Sequence, residues 1–177
     1  MLQVIGQDVG FVSFPVSDIT DIPLQVHARY TRDEILAALG ISHPEKPREW
    51  REGVHRVEEL HLDLFAVTIE KVASRFSPTT MYRDRPISPT LFQWESQSTT
   101  SIESPTGRRY VGHQASGDRI WLFCRETDQS ARHETIAFMF LGPVRHVSHK
   151  GTRPIEIHWR LEHPMPAEFY VRTRAVS

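Results

Sequence analysis

Ile155, Ile157, Trp159 and Leu161 alternate with Glu156, His158, Arg160 and Glu162. An apolar side chain at every second residue is the pattern of a strand with one face buried and one wet. A helix cannot keep such a row on one side. Residues 119–125 (RIWLFCR) and 135–141 (TIAFMFL) are short apolar runs that read as central strands. Residues 60–71 (LHLDLFAVTIEK) read as another. There Leu60, Leu62 and Leu64 give way to Phe65, Val67 and Ile69, a change of phase that implies a bulge or burial on both faces. Gly142-Pro143 marks a bend rather than an end, and residues 144–150 and 153–162 form a hairpin around Lys150-Gly151.

Helical signals are few. Thr31 and Glu34 make a capping box, Tyr30 and Ile35 a hydrophobic staple, and Gly40 a C-terminal stop. Ile35, Leu36 and Leu39 supply the buried stripe. Ser88-Pro89 fits an N-cap followed by a first-turn proline, which predicts a short helix over 89–95. The end of the chain (EFYVRTR) is one more short strand or helix. Residues 1–26 read as an extended arm, and 41–56 as a loop in which Trp50 is a core lid or a nucleic-acid contact. The expected architecture is α+β, a single domain over residues 1–177. Its strongly bent, mostly antiparallel sheet or small β-barrel carries a few peripheral helices.

Residues 77–113 stand apart as a long polar region that strand pairing does not explain. Tyr82, Phe92 and Trp94 offer aromatic walls; Gln97, Ser98, Thr99 and Thr100 offer donors and acceptors beside them. Stacking together with edge readout is what a pocket for a flipped-out base needs. Arg83, Arg85, Arg108 and Arg109 bracket the stretch and suit phosphates, and His113 closes it. Of the 21 basic residues only Lys46, Lys71 and Lys150 are lysine. Arginine's planar fork matches phosphates and base edges better than an ammonium does, although a GC-rich genome produces the same bias. The net charge of -1 excludes a global basic field.

Several chemistries lack their residues. There is no phosphate-binding glycine loop and no nucleophile elbow. No lysine has an acid two positions before it, as common restriction nucleases require; Pro44, Ile69 and Ser148 stand there. Cys124 is the only cysteine, and the ten histidines lack metal-ligand clustering, so neither metal nor cofactor is expected. Without a signal segment or an apolar run near membrane-spanning length, the expectation is a cytoplasmic protein that avoids membranes.

HARYTRDEILAALG, REGV, RFSPTTMYRDRPISPTLFQWESQSTTSIESPTGRRY and FLGPVRHVSHKGTRPIEIHWRLEHPMP resemble the bacterial domain-of-unknown-function 3427 family, over roughly residues 25 to 170. The resemblance implies company rather than chemistry. Such domains commonly lie C-terminal to a superfamily II helicase, often with a phospholipase-D-like nuclease. That company implies a noncatalytic DNA-binding module of a restriction-type defence system, reading plain or modified DNA, with a helicase or nuclease module in cis or trans. A reader of this size with a bent sheet is similar in outline to the PUA-like barrels. Two other readings stay open: a hydrolase or nuclease with an unfamiliar site, and a domain that docks a helicase or nuclease partner.

Overall fold

A computed structural model describes residues 12–70, 84–130 and 132–177. The described residues form ten strands and three α-helices in the order β1 (Phe14–Pro15), β2 (Gln25–Val26), β3 (Arg29–Tyr30), α1 (Arg32–Ala38), β4 (Val54–Val57), β5 (Leu62–Thr68), β6 (Arg85–Ser88), β7 (Leu91–Glu95), α2 (Pro105–Ser116), β8 (Arg119–Arg125), β9 (Phe138–Lys150), β10 (Glu156–Leu161) and α3 (Ala167–Ala175), with one 3-10 turn at Glu58–Leu60. Seven strands follow one another across the main sheet as β4-β5-β8-β9-β10-β7-β6, and β3 adds to β9 as the eighth. Among the described strands only β5 and β8 run parallel; the other neighbours are antiparallel. The fold is α+β, with a mixed and mostly antiparallel sheet.

The central strands are covered on both faces. Leu62, Leu64 and Ala66 of β5, Trp121 and Phe123 of β8, and Phe138 and Phe140 of β9 pack against Ile35 and Leu36 of α1, with Trp50 and Val26. Their chain neighbours Phe65, Val67, Ile120, Leu122, Met139 and Leu141 face the other way, into a second core with Phe92, Trp94, Tyr110, Trp159 and Phe169. The phase change in β5 is therefore two-sided burial. Trp50 is a core residue, 5% exposed.

The sheet is strongly curled. Three strands separate β5 from β7, so a flat sheet would hold them roughly 19 Å apart at normal strand spacing. Instead Phe65 of β5 and Trp94 of β7 stack with ring centroids 4.3 Å apart. Among the described residues no pairing joins the β4 edge to the β6 edge, so the curl stays open along one seam.

A bulge in β9 helps the sheet to bend. Leu122 pairs with Gly142 and Phe123 with Phe140, so Leu141 is the extra residue. Gly142 has φ +90°, and its Cα faces Val26 closely enough that an added Cβ would lie 3.1 Å from a Val26 methyl carbon. Pro143 follows without ending the strand, as the sequence implies.

Residues 89–95 are not helical, contrary to the cap signal. Ser88-Pro89-Thr90 is a tight turn: the Thr90 amide donates to Ser88 Oγ at 3.3 Å, and Ser88 pairs with Leu91. Leu91–Glu95 then pairs with β10, Phe92 opposite Trp159 and Trp94 opposite Ile157. A seven-residue helix would have left both aromatics without that partner strand. The same Ser-Pro-Thr triplet does start a helix at Ser104, whose Oγ accepts from the Gly107 amide at 3.0 Å with Pro105 in the first turn. Sequence reasoning missed α2. It also left α3 undecided between helix and strand.

Candidate nucleic-acid interface

The open seam forms a cleft of about 410 Å³, within the range of small-molecule and base-sized sites. One wall comes from the β4–β5 side, including Glu52, Gly53, Val67 and Thr68. The other comes from β7 and its flanks, with Asp84, Glu95 and Gln97. Trp94 lies in the floor, only 4% exposed, its ring engaged by Phe65 and, edge-on at 5.5 Å, by Tyr110 of α2. Arg32, Arg51 and Arg125 complete the lining.

Local hydrogen bonds set this geometry. Gln97, just past β7, donates from Nε2 to Glu52 Oε2 at 2.9 Å, tying the two walls across the seam. Asp84 Oδ1 accepts from the Glu95 amide at 2.9 Å. Ser96 Oγ accepts from the Ile155 amide at 2.9 Å, which anchors the end of β7 to the start of β10. The cleft thus brings carboxylate and amide acceptors from both walls together with guanidinium donors, beside Trp94.

A family model described as a domain of unknown function (DUF3427) matches residues 24–172. The chain belongs to that family. No curated protein matches it. The matched span of this DUF3427 chain contains the whole main sheet and every residue that lines the seam cleft.

The residues singled out from the sequence do not gather in one place. Tyr82 and Arg83 lie outside the described residues. Arg85 is exposed at the start of β6, next in the chain to Asp84 of the cleft. Phe92 is fully buried in the inner core. Trp94 and Gln97 reach the cleft. Ser98 and Thr99 follow Gln97 on the surface, the Ser98 carbonyl accepting from Arg153 Nε at 3.1 Å, while Thr100 is buried. Arg108 is exposed on α2 and donates to the Glu103 carbonyl. Arg109, the next residue, turns inward to Asp63, and hydrogen bonding to that carboxylate holds its guanidinium more firmly protonated than usual. Glu52, Asp84, Glu95, Arg32, Arg51 and Arg125 were not singled out, because each sits beside or beyond strands that meet only when the sheet curls.

His113 is 3% exposed in α2. The His146 amide donates to its Nε2 at 3.1 Å, which leaves Nδ1 as the N–H that reaches the Asp118 carbonyl at 3.3 Å. Burial lowers the His113 pKa, and burial also lowers those of His27, His55 and His146. Folding therefore favours the neutral rings. Below the ordinary histidine value near 6.5 the unfolded chain binds more protons than the folded one, so stability falls as pH falls. The urea midpoint is expected to be lower at pH 5.5 than at 7.5. His113→Gln, which can still accept from the His146 amide, should show a smaller drop; an unchanged drop would remove His113 from this account.

His146 Nε2 and His149 Nδ1 lie 3.0 Å apart, yet among the described residues no three or more His, Cys, Asp and Glu side chains gather as a metal site would need. No described helix is long and apolar enough to cross a membrane.

Proposed function

We propose that this DUF3427 chain is a noncatalytic DNA-recognition module of a bacterial defence system, acting in the cytoplasm beside a helicase or nuclease module supplied in cis or in trans. In this reading the curled sheet is a PUA-like barrel left open along one side, and the opening takes a base flipped out of the duplex. The observation that supports it is the seam cleft itself. Trp94 is among its lining residues, and Glu95, Asp84 and Glu52 bring acceptors to its walls, a set that suits the exocyclic amino groups of bases. Gln97 supplies both a donor and an acceptor. Exposed Arg85, Ser98 and Thr99, adjacent in the chain to cleft residues, are placed for the flanking backbone.

The reading is tested by fluorescence anisotropy of the full chain against duplexes that are plain, methylated, hydroxymethylated, glucosylated or phosphorothioate-linked. Salt-sensitive binding is expected, with one modified duplex preferred. Glu95→Gln should reduce that preference by about tenfold while changing affinity for plain duplex little, as loss of a base-edge contact does. No binding to any of these duplexes at low salt would overturn the proposal.

A further inference from the structure

Among the described residues, Arg32 and Arg125 are cleft cations with no carboxylate at ion-pair distance. Arg32 opens α1; it donates from Nη1 to the Arg51 carbonyl at 3.3 Å, and its Nε is buried with no hydrogen-bond partner. Arg125 ends β8; it donates from Nε to Thr68 Oγ1 and from Nη1 to the Ile136 carbonyl, both at 2.9 Å. The two guanidinium carbons lie against one ring, 5.4 and 4.3 Å from the centroid of Phe138. Arg29, Arg56 and Arg109 each hold a carboxylate at ion-pair distance. Among the described residues, Arg32 and Arg125 hold none.

That arrangement is electrostatically costly. Burial first, and then the Arg32 charge, pushes the Arg125 pKa down to about 10, with Asp128 partly offsetting the effect. Burial lowers Arg32 as well. Both stay cationic at neutral pH, so two like charges share a half-buried space with only neutral hydrogen-bond partners. Of the cleft acids, Glu52 is engaged by Gln97 and Asp84 by the Glu95 amide, and none of the three, Glu95 included, lies at ion-pair distance from Arg32 or Arg125. What would relieve the pair is an incoming anion with several oxygens, which the outer nitrogens of both forks could grip.

We infer that Arg32 and Arg125 form an oxyanion subsite in the seam cleft that takes a phosphate group. It deepens the DNA reading, since it lies in the same cleft, and there the phosphate would be a backbone phosphodiester. The subsite itself is defined by phosphate chemistry, which free inorganic phosphate shares.

The test is thermal unfolding of the full chain in sodium phosphate and in sodium chloride of equal ionic strength. Phosphate at about 20 mM is expected to raise the midpoint by about 3 °C more than chloride does. Phosphate also stabilises proteins generally by exclusion from their surfaces, so the decisive quantity is the difference between variants. Arg32→Gln and Arg125→Gln should each lose most of the excess, and Arg174→Gln, which removes an exposed charge on α3, should keep it. An equal excess in all four proteins would overturn the inference. If Arg125→Gln does not fold, Arg32→Gln on its half-buried helix start decides the matter alone. The same proteins titrated with duplex DNA separate the two claims. A variant-sensitive phosphate gain without DNA binding supports the subsite and overturns the DNA reading. DNA binding without that gain overturns the subsite and leaves the DNA reading in place.

Discussion

Asp63→Asn is expected to lower the unfolding free energy by about 3 kcal/mol. Asp63 is fully buried on β5 and accepts from Arg109 Nε at 2.8 Å and Nη2 at 3.0 Å, and from Arg56 Nη1 at 3.1 Å. Neutralising it leaves Arg109 without its carboxylate. Arg56 keeps Asp118, at 2.7 Å, and Glu58. The value belongs at the low end for a broken buried ion pair because both arginines retain some contact with water: 16% of the Arg56 side chain and 21% of that of Arg109 are exposed. The adjacent arginines supply the internal control. Arg109→Ala should cost about 2 kcal/mol or more by orphaning part of a buried carboxylate, whereas Arg108→Ala should stay within about 0.5 kcal/mol. Urea denaturation followed by tryptophan fluorescence distinguishes them. Equal effects of Arg108→Ala and Arg109→Ala would contradict the placement of α2.

Trp94→Ala should cost about 3–5 kcal/mol, the range for removing a large aromatic from a packed core. Its ring fills the inner core between Phe65 and Tyr110. The more telling quantity is its coupling to Phe65. Residues on strands this far apart in a flat sheet would behave additively. In the curled sheet they stack at 4.3 Å, so a double-mutant cycle of Phe65→Ala and Trp94→Ala should give a coupling of about 1 kcal/mol. Additivity within about 0.3 kcal/mol would mean that the sheet is not curled as described. The cycle also fixes how binding data are to be read: loss of DNA recognition in Trp94→Ala would report unfolding before it reported a missing base contact.

The strands and the capping box were legible because their signals are local. Alternation in β10, the apolar runs of β8 and β9, and Thr31 with Glu34 need no partner to be recognised. The two Ser-Pro-Thr triplets within the described residues show the limit of such signals. At Ser88 the triplet makes a turn and at Ser104 it caps a helix. The difference lies in the residues downstream of each: Leu91 to Glu95 finds a partner in β10, while Gly107, Tyr110 and His113 share the buried face of α2 and Arg108 stays exposed. The candidate site was less legible for a related reason. Trp94 and Gln97 were found from their local company, but Arg32, Glu52 and Arg125 come together only through pairings between distant segments. Arg109 was matched to Arg108 because adjacency in the chain says nothing about which side chain turns inward.

The DNA-recognition proposal places a duplex in the seam cleft of this DUF3427 chain, with Arg125 on a phosphate. It is tested most directly by the salt dependence of binding. The logarithm of the affinity of the full chain for its preferred duplex should fall linearly with the logarithm of salt concentration, and Arg125→Gln should reduce the slope by about one unit. Arg174→Gln should leave the slope unchanged. A slope for Arg125→Gln equal to that of the natural chain, at equal stability, would contradict the account.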